Sequence, residues 1–128
     1  MKAVLIQALA IGAGGFVGAL TRWGVAVLFG RLFPVRFPIG TFFINITGSF
    51  FLGWFLTFVI FRYPVSDTTR LAIATGFVGA YTTFSTYMFE SVQLSDQGAT
   101  LEALVNLLGS VIVGVIAVKL GMIMAHPR

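Results

Sequence analysis

The sequence contains no cysteine and only one histidine, and 9% of its 128 residues are charged. Without cysteine the chain can have neither a disulfide framework nor thiol chemistry. The single histidine, His126, stands almost at the C-terminus, and no cluster of cysteine and histidine residues suits a zinc site. No set of serine, histidine and aspartate residues favours nucleophilic catalysis, and we therefore expect a protein that is not an enzyme.

The scarcity of charge is matched by an excess of apolar residues. Hydrophobic side chains make up 58% of the chain, and its mean hydropathy is +0.99. A water-soluble domain, by contrast, carries about a quarter charged residues. Because one helical crossing of a bilayer takes about 20 apolar residues, the sequence predicts an all-α membrane protein. It is expected to form one domain over residues 1–128, with four transmembrane helices at about 3–29, 39–61, 71–94 and 101–124.

The N-terminus permits a second interpretation. Lys2 precedes an apolar run, and the letters "ALA" at positions 8–10 offer the small residues of a signal-peptide cleavage site. The apolar run, however, continues well past that point, to Trp23. We therefore favour a first transmembrane helix over a cleaved signal peptide.

The basic residues stand at the ends of the predicted helices. A net charge of +4 in such positions suggests lipid headgroups as partners, and no nucleic acid. An even number of crossings places both termini and the middle loop on one side of the membrane. That side would carry Lys2, Arg62, Arg70 and Arg128, and the other side Arg31 and Arg36. So modest a bias is compatible with insertion in both orientations.

Small residues recur at four-residue spacing, which is typical of membrane helices that pack closely together. The pairs are Gly14 and Gly18, Gly15 and Ala19, Ser49 and Gly53, Ser110 and Gly114, and Ala117 and Gly121. The letters "GFVGA" also occur twice, from Gly15 and from Gly76, which is weak support for a duplicated helix pair.

A few polar residues interrupt the apolar stretches, where their burial is costly and often marks a pathway. Thr41, Asn45 and Gly48 share one face of the second helix, because they are four and three residues apart. Glu102, Asn106 and Ser110 form a similar stripe on the fourth helix. Asn45 is expected either to bond a neighbouring helix or to face an ion. Glu90 is expected either to pair with Arg22 or to cap a polar channel.

The segment "GFVGAYTTFSTY", residues 76–87, combines glycines and hydroxyls in an apolar stretch. Non-helical backbone within a membrane is tolerated only inside protein or beside an aqueous cavity, so we expect a third helix broken mid-membrane by Gly76, Gly79 and the threonines. Its free carbonyls would suit a cation, and the start of its second half would favour an anion. The rings of Phe84 and Tyr87 share a face and offer positively polarised edges.

Four segments together carry a family resemblance: "GGFVGALTRW", "GTFFINITG", "TGFVGAYTTFSTYMFE" and "NLLGS". In this order and spacing the chain resembles the Fluc (CrcB) family of fluoride channels. The resemblance implies an antiparallel homodimer of dual topology in the bacterial inner membrane. It also implies a passive, fluoride-selective channel that exports cytoplasmic fluoride and confers fluoride resistance.

The same resemblance implies roles for individual residues. A structural sodium ion at the dimer centre would be held by the backbone carbonyls of Gly79 and Thr82. Arg22 and Glu90 would have structural or electrostatic roles. The fluoride pathway would be lined by Asn45, Thr83, Phe84, Ser85, Thr86, Tyr87, Asn106 and Ser110.

Two residues depart from the family pattern. Tyr87 replaces the usual phenylalanine, so its hydroxyl is expected to donate to the ion or to narrow the path. Ala80 replaces the second glycine of a usual pair.

Two other classes of membrane protein remain open from the residues alone. A proton-coupled exporter of cationic compounds needs a central carboxylate, for which Glu90 is the candidate. A scaffold that transports nothing would use the polar stripes only to hold its helices together.

Overall fold

The computed structural model describes residues 1–127, and within them the ordered backbone is helical, without a β-strand. Arg128, part of the predicted charge pattern, lies outside the described residues. In chain order the elements are α1 (Lys2–Leu32), α2 (Ile39–Phe61), α3 (Asp67–Arg70), a π-helical segment (Leu71–Val78), α4 (Gly79–Tyr81), α5 (Phe84–Asp96) and α6 (Thr100–Ala125).

Three of these helices, α1, α2 and α6, are long and apolar enough to cross a membrane. They occupy the regions of the predicted helices 3–29, 39–61 and 101–124, and the structure extends α1 at both ends. The links between helices contain the residues that helices tolerate least. Pro34 and Pro38 separate α1 from α2, and Gly98, with φ of 76°, follows α5 in a conformation that favours glycine.

The region predicted as a third helix over 71–94, broken mid-membrane, consists of several pieces in the structure. A π-helical segment precedes α4, and two extended residues then separate α4 from α5: Thr82 (φ −77°, ψ 157°) and Thr83 (φ −148°, ψ 116°). Of the residues expected to permit a break, Gly76 and Gly79 are helical, and the extended residues are the threonines Thr82 and Thr83. The π-helical segment was not predicted, since apolar periodicity does not distinguish it from an α-helix.

The glycines of α1 allow it to lie against the backbone of the π-helical segment. A Cβ atom on Gly14 would collide with the carbonyl oxygen of Ala72, and one on Gly18 with that of Phe77. From the other side, a Cβ on Gly76 would meet the carbonyl oxygen of Ile11. Gly76 is therefore needed for close packing of the two backbones, as is Gly18, the buried residue of α1.

A second close contact joins α2 to α6. A Cβ on Gly53 would collide with the carbonyl oxygen of Val118, and one on Gly121 with that of Phe50. Gly114 differs from these, because the nearest atoms to its Cβ position are side-chain atoms 3.8 and 3.9 Å away. The spacing of small residues thus correctly predicted close backbone contacts at Gly53 and Gly121. It predicted one at Gly114 as well, where the structure has none.

Substitution of Gly18 by alanine tests the contact between α1 and the π-helical segment. Because the new methyl group would overlap a carbonyl group of the neighbouring backbone, Gly18→Ala is expected to reduce the free energy of unfolding by about 1–3 kcal/mol. Gly24→Ala is the matched control on the same helix, because a Cβ there meets nothing within 4 Å. Thermal unfolding of the detergent-solubilised variants measures the difference. Equal stability of the two variants would contradict the packing described here.

Candidate functional site

The interruption between α4 and α5 is stabilised by the side chain of Asn45 on α2. The Thr83 backbone N–H donates to Asn45 Oδ1 at 2.8 Å, and Asn45 Nδ2 donates to the Thr83 carbonyl oxygen at 3.0 Å. The amide therefore satisfies both backbone groups of an extended residue that has left the helical pattern. Of the two roles expected for Asn45, the structure shows the bond to a neighbouring element.

The hydroxyl of Thr83 caps the N-terminus of α5. It accepts a hydrogen bond from the Thr86 backbone N–H at 3.3 Å and lies 2.9 Å from Thr86 Oγ1, to which it donates. This is the usual arrangement of an N-cap threonine. Thr83 is buried, whereas Ser85 and Thr86 are exposed on the surface of the single chain.

These hydrogen bonds leave two carbonyl groups without their helical donors. In a continuous helix the Gly79 carbonyl would accept from the Thr83 N–H, which donates to Asn45 instead. The Thr82 carbonyl would accept from the Thr86 N–H, which donates to the Thr83 hydroxyl. Gly79 and Thr82, the two residues expected to hold sodium, are thus among the residues whose carbonyl groups the interruption releases from the helical hydrogen-bond pattern.

A cavity of about 290 Å³ lies beside the interruption. We call it the central cavity. It brings together six residues predicted to line a pathway or an ion site, and the other side chains and backbone around it are small or apolar. Its lining is Asn45, Gly48, Ser49, Leu52, Val78, Thr82, Thr83, Phe84, Tyr87, Ser110 and Val111. The predicted site residues that do not line it are Arg22, Gly79, Ser85, Thr86, Glu90 and Asn106.

The two predicted aromatic residues meet at the central cavity but differ in exposure. Their ring centroids are 5.9 Å apart with an interplanar angle of 65°, an edge-to-face arrangement. Phe84 is 74% exposed, whereas Tyr87 is 6% exposed. The Tyr87 hydroxyl donates to the carbonyl oxygen of Leu107 at 2.6 Å. The expectation that this hydroxyl would donate to an ion is therefore wrong for this conformation, because its proton is already held by α6.

A chain of hydrogen bonds connects α5 to α6 behind the cavity. Ser91 Oγ donates to the Tyr87 carbonyl oxygen at 2.7 Å, and Asn106 Nδ2 donates to Ser91 Oγ at 2.9 Å. Ser110 Oγ then donates to Asn106 Oδ1 at 3.4 Å. Asn106 is 1% exposed, so it holds the two helices together instead of facing the cavity. Sequence analysis missed Ser91, although it stands four residues after Tyr87 and so falls on the same helix face.

A second cavity, of about 310 Å³, lies among the end of α1, the α1–α2 link and the second half of α5. We call it the mouth cavity. The basic Arg36 and the acidic Glu90 both line it, together with Thr41, Gln93 and Gln97. The mouth cavity therefore contains charged side chains, whereas the central cavity contains none.

The Glu90 carboxylate accepts a hydrogen bond from a side chain of α2. The Thr41 hydroxyl donates to Glu90 Oε1 at 2.9 Å, and Glu90 Oε2 is buried without a hydrogen-bond partner. The alternative that Glu90 pairs with Arg22 is not seen, because the ion pair found within residues 1–127 joins Arg70 to Asp67. Arg22 is partly exposed on α1 and lines neither cavity.

The structure thus describes a protein with three helices long and apolar enough to cross a membrane, and with a cavity beside the interruption between α4 and α5 that combines apolar side chains with a few polar groups. Comparison with known proteins gives the family. The family model described as "CrcB-like protein, Camphor Resistance (CrcB)" matches residues 9–122. The chain belongs to this CrcB family, as the sequence motifs predicted.

Three curated relatives match this chain over nearly their whole length. The fluoride-specific ion channel FluC of Acidobacterium capsulatum is 42% identical over 116 residues, which are 91% of this chain and 93% of the relative. The FluC of Chlorobium luteolum is 40% identical over 122 residues, 95% of this chain and 94% of the relative. The FluC of Aquifex aeolicus is 36% identical over 117 residues, which are 91% of this chain and 94% of the relative. These relatives are named as ion channels and not as enzymes, in agreement with the prediction for this chain.

The bond between Asn45 and Thr83 is expected to determine the stability of the interruption. Asn45→Ala leaves a buried N–H and a carbonyl group without partners, which should reduce the free energy of unfolding by about 1–3 kcal/mol. Thr21→Val is the control, because the Thr21 hydroxyl is exposed and bonds only the carbonyl oxygen of Val17 in its own helix. Thermal unfolding in detergent compares the two variants. If Asn45→Ala is as stable as Thr21→Val, the amide does not hold the break.

Proposed function

We propose that this protein is a passive, fluoride-selective ion channel that exports fluoride from the bacterial cytoplasm and so confers fluoride resistance. The observation that carries the proposal is the central cavity, where Asn45, Phe84, Tyr87 and Ser110 meet beside the interrupted helix. The proposal is supported by relatives that bear the name fluoride-specific ion channel at about 40% identity over most of the chain.

The groups around the central cavity suit a small anion. Asn45 Nδ2 carries two N–H donors, of which one bonds the Thr83 carbonyl, so the second is free to donate. Ring edges of aromatic residues carry partial positive charge, and the first residues of α5 present the positive end of a helix dipole. Ser110 gives up only a long 3.4 Å hydrogen bond when it turns its proton toward the cavity. These groups replace the water that fluoride leaves behind.

The mouth cavity provides the route between the central cavity and the aqueous phase in this proposal. Arg36 draws anions toward it, since a positive charge in a cleft raises the local anion concentration. Thr41 and Glu90 lie where α2 and α5 meet, and Thr41 is one helical turn from Asn45. An inside-negative membrane potential then drives the anion outward, and no energy-supplying site is required.

The functional unit that we propose is an antiparallel homodimer with dual topology in the inner membrane. Phe84, Ser85 and Thr86 support it, because these three predicted pathway residues are exposed on the single chain. A second copy placed against this part of α5 would cover the Phe84 ring and complete two pathways. The modest charge bias of the loops is compatible with both orientations.

A structural sodium ion at the dimer centre is the proposed cofactor. Backbone carbonyl oxygens are suitable ligands for a hard cation in a membrane. The carbonyl groups of Gly79 and Thr82 fit this role, because their helical donors bond elsewhere. When bound, the ion supplies a fixed positive charge near the interrupted helices and holds two subunits together.

Efflux from liposomes tests the channel. Purified protein, with valinomycin setting the potential, is expected to release internal fluoride rapidly and to retain chloride. Phe84→Ile removes the ring at the central cavity and should slow fluoride efflux about tenfold or more, which corresponds to about 1.4 kcal/mol at the barrier. Phe89→Ile is the matched control, because Phe89 is also exposed on α5 but does not line the cavity.

Efflux of neither anion from folded protein would contradict the channel and favour the scaffold. Equal efflux from the Phe84 and Phe89 variants would leave the channel intact but remove Phe84 from its pathway.

The variant Glu90→Gln separates the channel from a proton-coupled exporter of cationic compounds. An exporter needs a carboxylate that exchanges protons, so glutamine would abolish its transport. In a passive channel the amide still accepts the hydrogen bond from Thr41, and fluoride efflux is expected to persist within about tenfold of the wild type. The readouts are fluoride efflux and proton-driven transport of a cationic compound across the same liposomes. Proton-driven transport of the cation by the wild type, lost in Glu90→Gln and without fluoride efflux, would support the exporter.

A further inference from the structure

Tyr87 is held by hydrogen bonds at both ends of the residue. Its hydroxyl donates to the Leu107 carbonyl oxygen at 2.6 Å, and its own carbonyl oxygen accepts from Ser91 Oγ at 2.7 Å. Ser91 is in turn held by Asn106, the residue next to Leu107 on α6. The backbone and the ring tip of Tyr87 are therefore both attached to the same turn of α6. A phenylalanine at this position would keep the backbone attachment and lose the one at the ring.

The hydroxyl is not needed to satisfy the group that it bonds. Leu107 lies inside α6, where its carbonyl oxygen is also the acceptor of the helix's own hydrogen bond. A carbonyl oxygen has two lone pairs, so it accepts both donors. Removing the hydroxyl leaves no unpaired buried acceptor, and the fold should tolerate its loss. The effect of this hydrogen bond is therefore on the orientation and mobility of the ring.

The ring forms part of the wall of the central cavity at its contact with Phe84. A centroid separation of 5.9 Å is that of aromatic rings in direct contact. An ion that passes between the two rings must therefore displace them. Phe84 is largely exposed and has no polar attachment, whereas Tyr87 is buried and tethered through its hydroxyl. Displacement of Tyr87 costs the Leu107 hydrogen bond.

We propose that the Tyr87 hydroxyl is a positioning group that fixes the ring against α6 and limits the maximal rate of fluoride passage. The inference rests on the proposed channel function. It assigns to the hydroxyl a role in the rate of passage and not in the binding of the ion, because its proton is directed to Leu107 and away from the cavity contents. The affinity for fluoride is left to the other groups of the central cavity, including Asn45 and Ser110.

The test measures fluoride efflux from liposomes as a function of fluoride concentration for wild type and for Tyr87→Phe. The variant is expected to raise the maximal efflux about two- to tenfold, the factor that corresponds to a hydrogen bond of about 0.5–1.5 kcal/mol. The half-saturating fluoride concentration should remain unchanged. A merely structural role for the hydroxyl would instead reduce efflux together with thermal stability.

Tyr81→Phe is the matched control. Tyr81 is also buried, and its hydroxyl is 2.9 Å from Thr47 Oγ1, but it does not line the central cavity. Its loss should leave efflux at the wild-type level. A Tyr87→Phe variant with unchanged or slower efflux, or an equal increase in both variants, overturns the inference while the channel function stands. A wild-type protein that releases no fluoride overturns the channel function and the inference with it.

Discussion

The pairing of the Asn45 amide with the backbone of Thr83 is the interaction on which the rest of the site depends. One side chain supplies the donor and the acceptor that a residue loses when it leaves a helix. Two extended residues are thereby accommodated between α4 and α5, and α5 begins with its own N-cap at Thr83. The Gly79 carbonyl loses its helical donor through this exchange of partners, and Asn45 and Thr83 both line the central cavity beside it.

Two kinds of contact maintain the position of the interruption. On one side, α1 and the π-helical segment meet backbone to backbone, because Gly14, Gly18 and Gly76 leave no side chain between them. On the other side, α5 and α6 are joined by hydrogen bonds from Tyr87, Ser91 and Asn106. The first kind tolerates no added atom, and the second specifies orientation through the geometry of a few polar groups. Together they fix the cavity wall without charged groups in its interior.

Much of this architecture follows from the sequence by simple physical rules. Apolar length gives the regions of α1, α2 and α6, and the four-residue spacing of small residues indicates the contacts of Gly18, Gly53 and Gly121. The positions of Asn45, Thr82 and Thr83 in otherwise apolar stretches also indicate the polar part of the central cavity. The hydrogen-bond partners do not follow, because a stripe of polar residues on one helix does not say which group of a neighbour each will reach. Tyr87 bonds a backbone carbonyl, which any residue type presents and no sequence pattern indicates. Glu90 accepts from the Thr41 hydroxyl and not from Arg22, a choice that depends on how α2 and α5 meet.

The Asn45 amide both pairs with the Thr83 backbone and lines the cavity, whereas the Tyr87 hydroxyl makes one hydrogen bond that the fold does not require. This difference affects how such a protein can evolve. The Asn45 amide serves the backbone of its neighbour and the cavity at once, so natural selection cannot alter its chemistry for one purpose without harming the other. The Tyr87 hydroxyl bonds a carbonyl group that already has a partner in α6. Tyrosine and phenylalanine codons are related by a single nucleotide change. One mutation can thus remove the attachment of this ring to α6 without leaving a backbone group of α6 unpaired.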